Sequence, residues 1–114
     1  MSFITRYIDD ELGALLREKA GVVAVSATPA QVLPANGDRT NLIFINCGSY
    51  PINLSPDSST LPNGGIVLRE GGGFAVMSVR GDFLLPVLQW FAAAPAGDSN
   101  LYYLYLENRK EGML

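Results

Sequence analysis

A chain of 114 residues makes one domain rather than two, because two cores of half that size would each bury too little apolar surface to be secure. Hydrophobic residues are 48% and charged residues 17% of the chain, below the roughly 25% charged usual for a soluble domain, so part of the surface is expected to be covered by another chain. A net charge of −3 with no histidine argues against a basic nucleic-acid stripe and removes the commonest general base and neutral metal ligand.

Ile4, Ile8, Leu12, Leu15 and Leu16, flanked by Phe3 and Tyr7, recur at a spacing that predicts an amphipathic helix over residues 1–19. Ser2 suits its N-cap, Lys19 the negative end of its dipole and Gly21 its stop. A lone helix of this length is marginal in water, and Gly13 weakens it by about 1 kcal/mol. Its stripe therefore needs a surface, either its own β module or a neighbouring chain. Residues 1–20 are read as a helical arm and 21–114 as the β domain. There is no basic region followed by an apolar stretch and no run of membrane-spanning length, so the expectation is a protein soluble when made, without a membrane partner.

After the arm, Val22–Ala27 and Ala30–Leu33 read as strands, and Asn36, Gly37 and Asp38 as a turn. Arg39–Cys47 carries Leu42 and Phe44 on one face and Ile43 and Ile45 on the other, which marks a central strand. Tyr50–Leu54 follows, where Pro51 implies an edge position or a bulge. The polar stretch Ser55–Gly65 reads as the chief surface loop and the best contact loop. Ile66–Arg69 and Phe74–Val79, around a Glu70–Gly73 turn, read as a hairpin, and Val87–Phe91 as a strand about a core Trp90. In the last strand, Leu101–Leu106, one face is expected to enter the core while Tyr103 and Tyr105 face outward as an interface. Seven to eight short antiparallel strands behind a helix predict an all-β fold, a β-sandwich or jelly-roll-like domain.

Nothing in the chain carries recognisable chemistry. Cys47 has no histidine to activate it and reads as a small buried core residue. Asp57, Glu70, Asp82 and Asp98 fall in separate turns, where Asp is a favoured turn former, rather than as an acid/base pair. A calcium site from Asp57, Ser55, Ser58 and Asn63 lacks EF-hand spacing. Gly64 with Gly65, and Gly71 to Gly73, have neither a phosphate-binding lysine nor a strand-to-helix context. Arg80, Gly81 and Asp82 spell the tripeptide that integrins read, but suit a strand-end turn. The expectation is a non-enzyme, without cofactor or metal, that binds or assembles. Between Thr40 and Leu106 the charged residues are only Asp57, Arg69, Glu70, Arg80, Asp82 and Asp98, so strands nearly free of charge on both faces suit a sandwich buried between subunits.

The segments RTNLIFINCGSYPINLSPD (39–57), NGGIVLREGGGFAVMS (63–78), LQWFAAAP (88–95) and NLYYLYLE (100–107) together resemble the small β-sandwich virion proteins of tailed bacteriophages. These are capsid decoration or cement proteins and related head or tail accessory modules. The resemblance covers most of residues 30–107 and implies a structural protein on the capsid surface, made in the host cytoplasm. It implies a homo-oligomer, often a trimer, whose partner is the major capsid protein and which binds no nucleic acid directly. The partner-binding residues expected are Phe3, Ile4, Tyr7, Ile8, Leu12, Leu15 and Leu16 of the arm, with Tyr103 and Tyr105. The alternative is a host-recognition or carbohydrate-binding module of a tail fibre or spike, using Tyr103, Tyr105 and the Ser55–Gly65 loop.

Overall fold

Along Arg39–Asn46, Leu42, Phe44 and Asn46 are buried while Ile43 and Ile45 are half-buried, the period-two signature of a strand in a two-layer structure. A computed structural model describes residues 16–82 and 84–108. Its strands are β1 Leu16–Val25, β2 Ala30–Leu33, β3 Arg39–Asn46, β4 Ile52–Ser55, β5 Ile66–Leu68, β6 Phe74–Ser78, β7 Trp90–Ala93 and β8 Ser99–Asn108. A four-residue helix, α1, covers Val79–Asp82, and 3-10 turns cover Ser58–Thr60 and Leu85–Val87.

The strands form two sheets, A in the order β1-β8-β3-β6 and B in the order β2-β7-β4-β5, with every pairing antiparallel. Successive strands change sheet at each step except from β4 to β5, which is the strand order of a double-sheet jelly roll. The fold is all-β. Between the sheets lie Leu42, Phe44, Met77 and Leu101 from sheet A and Leu33, Ile52, Leu54, Leu68 and Trp90 from sheet B. Phe44 meets Trp90 edge to face, with centroids 5.6 Å apart at 65°, a favoured aromatic geometry.

Several sequence expectations change. Residues 1–15, with the helical stripe from Phe3 to Leu15, lie outside the described residues, but Leu16–Lys19 is strand and not the end of a helix. All ten β1 residues pair with β8, and that long-range ladder overrides local helix propensity. Gly21 is accordingly no helix stop. A Cβ there would lie 2.6 Å from the Tyr103 hydroxyl, so glycine allows the close approach of β1 to that ring.

Ile66–Leu68 and Phe74–Ser78 are not a hairpin, since β5 pairs with β4 in sheet B and β6 with β3 in sheet A. Gly71 and Gly72, at φ 73° and 118°, take backbone conformations that side chains disfavour. The Gly72 N–H donates to the Asn46 carbonyl at 2.8 Å and the Asn46 N–H to the Gly73 carbonyl at 2.8 Å, tying the crossing to β3. β4 is a central strand between β7 and β5, because Pro51 lies just before it and removes no ladder bond. Cys47 is exposed, since it follows the inward-facing Asn46 at the end of β3.

Candidate interaction surface

Polar side chains close the two ends of the barrel, both from β3. At one end the buried Arg39 guanidinium donates to the carbonyls of Pro86 at 2.9 Å, Leu88 at 3.3 Å and Pro34 at 3.0 Å, and lies 4.6 Å over the Tyr105 ring. Burial pulls its pKa below the usual value, partly offset by Tyr105 and Glu107; an arginine nonetheless keeps its charge. Beside it, buried Glu107 accepts from Arg17 at 2.7 Å and from Asn36 at 2.8 Å. Burial pushes the Glu107 carboxyl up, but the bonds from Asn36 and Arg17 and the charges of Arg17 and Lys19 outweigh it and hold it below its ordinary value.

At the other end Asn46 donates to the carbonyls of Tyr50 at 2.8 Å and Leu68 at 2.9 Å. Its Oδ1 accepts from Gly48 N–H at 2.9 Å and Ser99 Oγ at 3.0 Å. Every polar atom of this amide is thereby used, as a fully buried amide requires. Both clusters read as structural plugs that satisfy crossing loops.

Register places the open surface on sheet A. Cross-strand partners share a face, and the pairings align two rows on the outer side: Val22, Tyr102, Ile45 and Phe74, then Ala20, Leu104, Ile43 and Val76. Each row crosses all four strands. Val22, Phe74 and Val76 are 63, 67 and 60% exposed. The row on one side is Glu18, Leu106, Asn41 and Ser78, and on the other lie Ala24 and Asn100. Glu18 is the one charged residue on this face among the described residues.

The expected interface residues fall differently. Tyr103 and Tyr105 do not face outward: they pack against the core, half-buried and stacked with centroids 6.0 Å apart at 14°. They share the inner face with Leu101 and Glu107, so the outward residues of β8 are Tyr102, Leu104 and Leu106. Leu16 pairs with Asn108 and belongs to the outer register; the other arm residues lie outside the described ones. The outer stripe was legible as apolar positions on both faces of Arg39–Cys47, but which face turned inward was not.

The Ser55–Gly65 loop is anchored on its own domain and leaves Asp57, Ser58, Ser59, Thr60 and Asn63 exposed. It lies over the outer face of sheet B, where Asn53 Nδ2 donates to the Pro62 carbonyl and Thr60 Oγ1 donates to Ser55 Oγ at 2.8 Å; Leu61 is buried. Asp57 accepts from Ser59 N–H at 2.9 Å and caps the 3-10 turn, which lowers its pKa. Asp82 accepts from Ser78 N–H at 2.9 Å, the local role expected of the Arg80-Gly81-Asp82 turn. Among the described residues no three Cys, Asp or Glu come together as a metal site, and no helix is long and apolar enough to cross a membrane.

No family model and no curated protein sequence matches the chain. A solved structure described under "Bacillus endospore appendages form a novel family of disulfide-linked pili" is 13% identical, covering 84% of this chain and 90% of that one with a TM-score of 0.49. At that distance no function passes from it to this chain.

Proposed function

We propose that this chain is a structural assembly protein, a subunit of a virion exterior of the capsid decoration kind, that works with the outer face of sheet A covered. The observation that carries the assembly reading is the pair of apolar rows running unbroken across four strands with no Lys or Arg on that face among the described residues. With strands about 4.8 Å apart and residues of one face about 7 Å apart, the two rows project roughly 300 Å², comparable with the largest apolar patch that an ordinary monomer exposes, which is often a functional one. Burying that area contributes about 7 kcal/mol before association costs of about 4–15 kcal/mol. One such contact is marginal, and several acting together in an oligomer or on a lattice are firm.

The likeness of the β segments to tailed-phage virion proteins supplies the kind of assembly: a homo-oligomer, a trimer in the favoured form, attached to the major capsid protein. The glycan-binding alternative loses its platform, because Tyr103 and Tyr105 turn inward. Light scattering on the full-length chain tests the assembly reading, which expects a mass above the single-chain 12.3 kDa; a strict monomer at every concentration overturns it. Mass spectrometry of gradient-purified particles made from the genome that encodes the chain tests the virion reading, and absence from those particles overturns that.

A further inference from the structure

The end of the barrel closed by Arg39 and Glu107 opens to the surface as a cleft of about 440 Å³, within the size range of small-molecule sites. Register builds it. Arg17 of β1 and Arg39 of β3 both pair with Glu107 of β8, and Lys19 of β1 pairs with Tyr105, so these inner-face residues meet at one end of sheet A. The connection from β2 to β3, with Asn36, supplies another wall. We propose that this cleft binds a carboxylate, the acid group of a small organic acid or of a peptide chain end, held by Lys19 over a floor formed by Arg39. The proposal is independent of the assembly reading, and either can fail without the other.

Charge and hydrogen bonding carry the assignment. Both Glu107 oxygens are used, Oε1 by Arg17 at 2.7 Å and Oε2 by Asn36 at 2.8 Å, so this carboxylate is spent on the walls of the cleft. Arg39 is 1% exposed, and its Nη1 and Nη2 donate to neutral carbonyls. Its buried Nε finds no acceptor among the described residues, and no carboxylate among them forms an ion pair with Arg39 or Lys19. Buried charges are ordinarily paired and buried donors satisfied, so the floor of the cleft favours an anion. Lys19 is exposed at its rim and brings three donors on a flexible stem. Three cations, Arg17, Lys19 and Arg39, line the cleft with two carboxylates, Asp38 and Glu107, a balance of +1 in a chain of net charge −3. One surplus positive charge suits a singly charged carboxylate better than a phosphate group, which carries about −1.5 to −2 at pH 7. The volume takes more than the acid group alone, and Pro34 offers an apolar side to the carbon body that bears it.

The test is a titration of the isotopically labelled full-length chain at neutral pH and constant ionic strength, read from amide shifts by NMR. The probes are butyrate and acetyl-triglycine with a free C-terminus, each beside its uncharged amide, together with inorganic phosphate. Saturable shifts at Lys19, Gly37 and Asn108 are expected with a carboxylate and not with its amide, and the tighter of the two acids tells whether a free acid or a chain end is the better ligand. Lys19→Gln is expected to weaken that binding about tenfold, the loss of one charge-assisted hydrogen bond, with its thermal transition unchanged. Lys19→Arg, which keeps the charge, is expected to retain most of it, and Arg80→Gln, which removes a cation outside the cleft, all of it. Failure of both carboxylates to saturate, equal shifts from the amides, or unchanged binding by Lys19→Gln overturns the proposal. So does a loss in Arg80→Gln equal to that in Lys19→Gln, which would reflect the charge of the whole surface. Phosphate that saturates the same shifts more tightly than either acid would make this a site for inorganic anions and overturn the carboxylate assignment.

Discussion

The outer faces of the two sheets are treated in opposite ways. Sheet B carries polar Asn53 and Ser55 on its outer side, and these hold the Ser55–Gly65 loop through Pro62 and Thr60, so both residues are buried beneath it; Val67, on edge strand β5, is left exposed. Sheet A presents Ile43, Ile45, Phe74, Val76, Val22 and Leu104, which give a loop nothing to hydrogen-bond. A polar loop cannot satisfy its backbone on such a surface. Among the described residues none covers Val22, Phe74 or Val76 there. The described residues thus lay a loop of their own over much of one face and leave Val22, Phe74 and Val76 exposed on the other.

The comparison is broken most severely from the middle. Trp90→Ala removes the side chain that joins the sheets through Phe44, and is expected to cost about 3–5 kcal/mol, read as a fall in the urea midpoint common to both faces. Leu61→Ala removes only the cover of sheet B and is expected to cost about 2 kcal/mol, with light-scattering mass unchanged. A change in mass with no change in midpoint would show that this loop, and not sheet A, is the contact.

Acid separates the ends of the barrel from the stripe. The folded Glu107 carboxyl lies below its ordinary value, so its contribution is complete above the ordinary carboxylate range and is lost as pH falls through the lower folded value. Thermal midpoints measured from pH 6 downward are expected to drop through this window, and Glu107→Gln to flatten the drop; an unaltered profile in the variant would remove Glu107 from the account. The smallest effect on stability belongs to the open face. Val76→Ser is expected to change the unfolding free energy by no more than about 0.5 kcal/mol, while weakening association. A loss comparable with that of Leu61→Ala would mean that sheet A is covered within its own chain.

Period-two alternation is local, so the sequence by itself determined the all-β class, the central place of Arg39–Asn46, and the burial of Trp90. Turn chemistry at Asn36, Gly37 and Asp38 and at Gly71 and Gly72 is equally local and was readable. Alternation states that a strand has two faces and not which one turns inward. With Leu101, Tyr103 and Tyr105 opposed to Tyr102, Leu104 and Leu106, both faces of β8 are apolar, and only the stack of Tyr105 beneath Arg39 and the packing of Tyr103 against Gly21 decide. The glycines that cross from β5 to β6 have the same composition as a hairpin turn, so the sheet to which each strand belongs is decided by its partner. Leu16–Lys19 has helical spacing, yet its ladder runs to residues some ninety positions away. Local propensities act over a few residues, whereas sheet membership, facing and the alignment of apolar rows on sheet A depend on pairings across the chain, which only the tertiary structure decides.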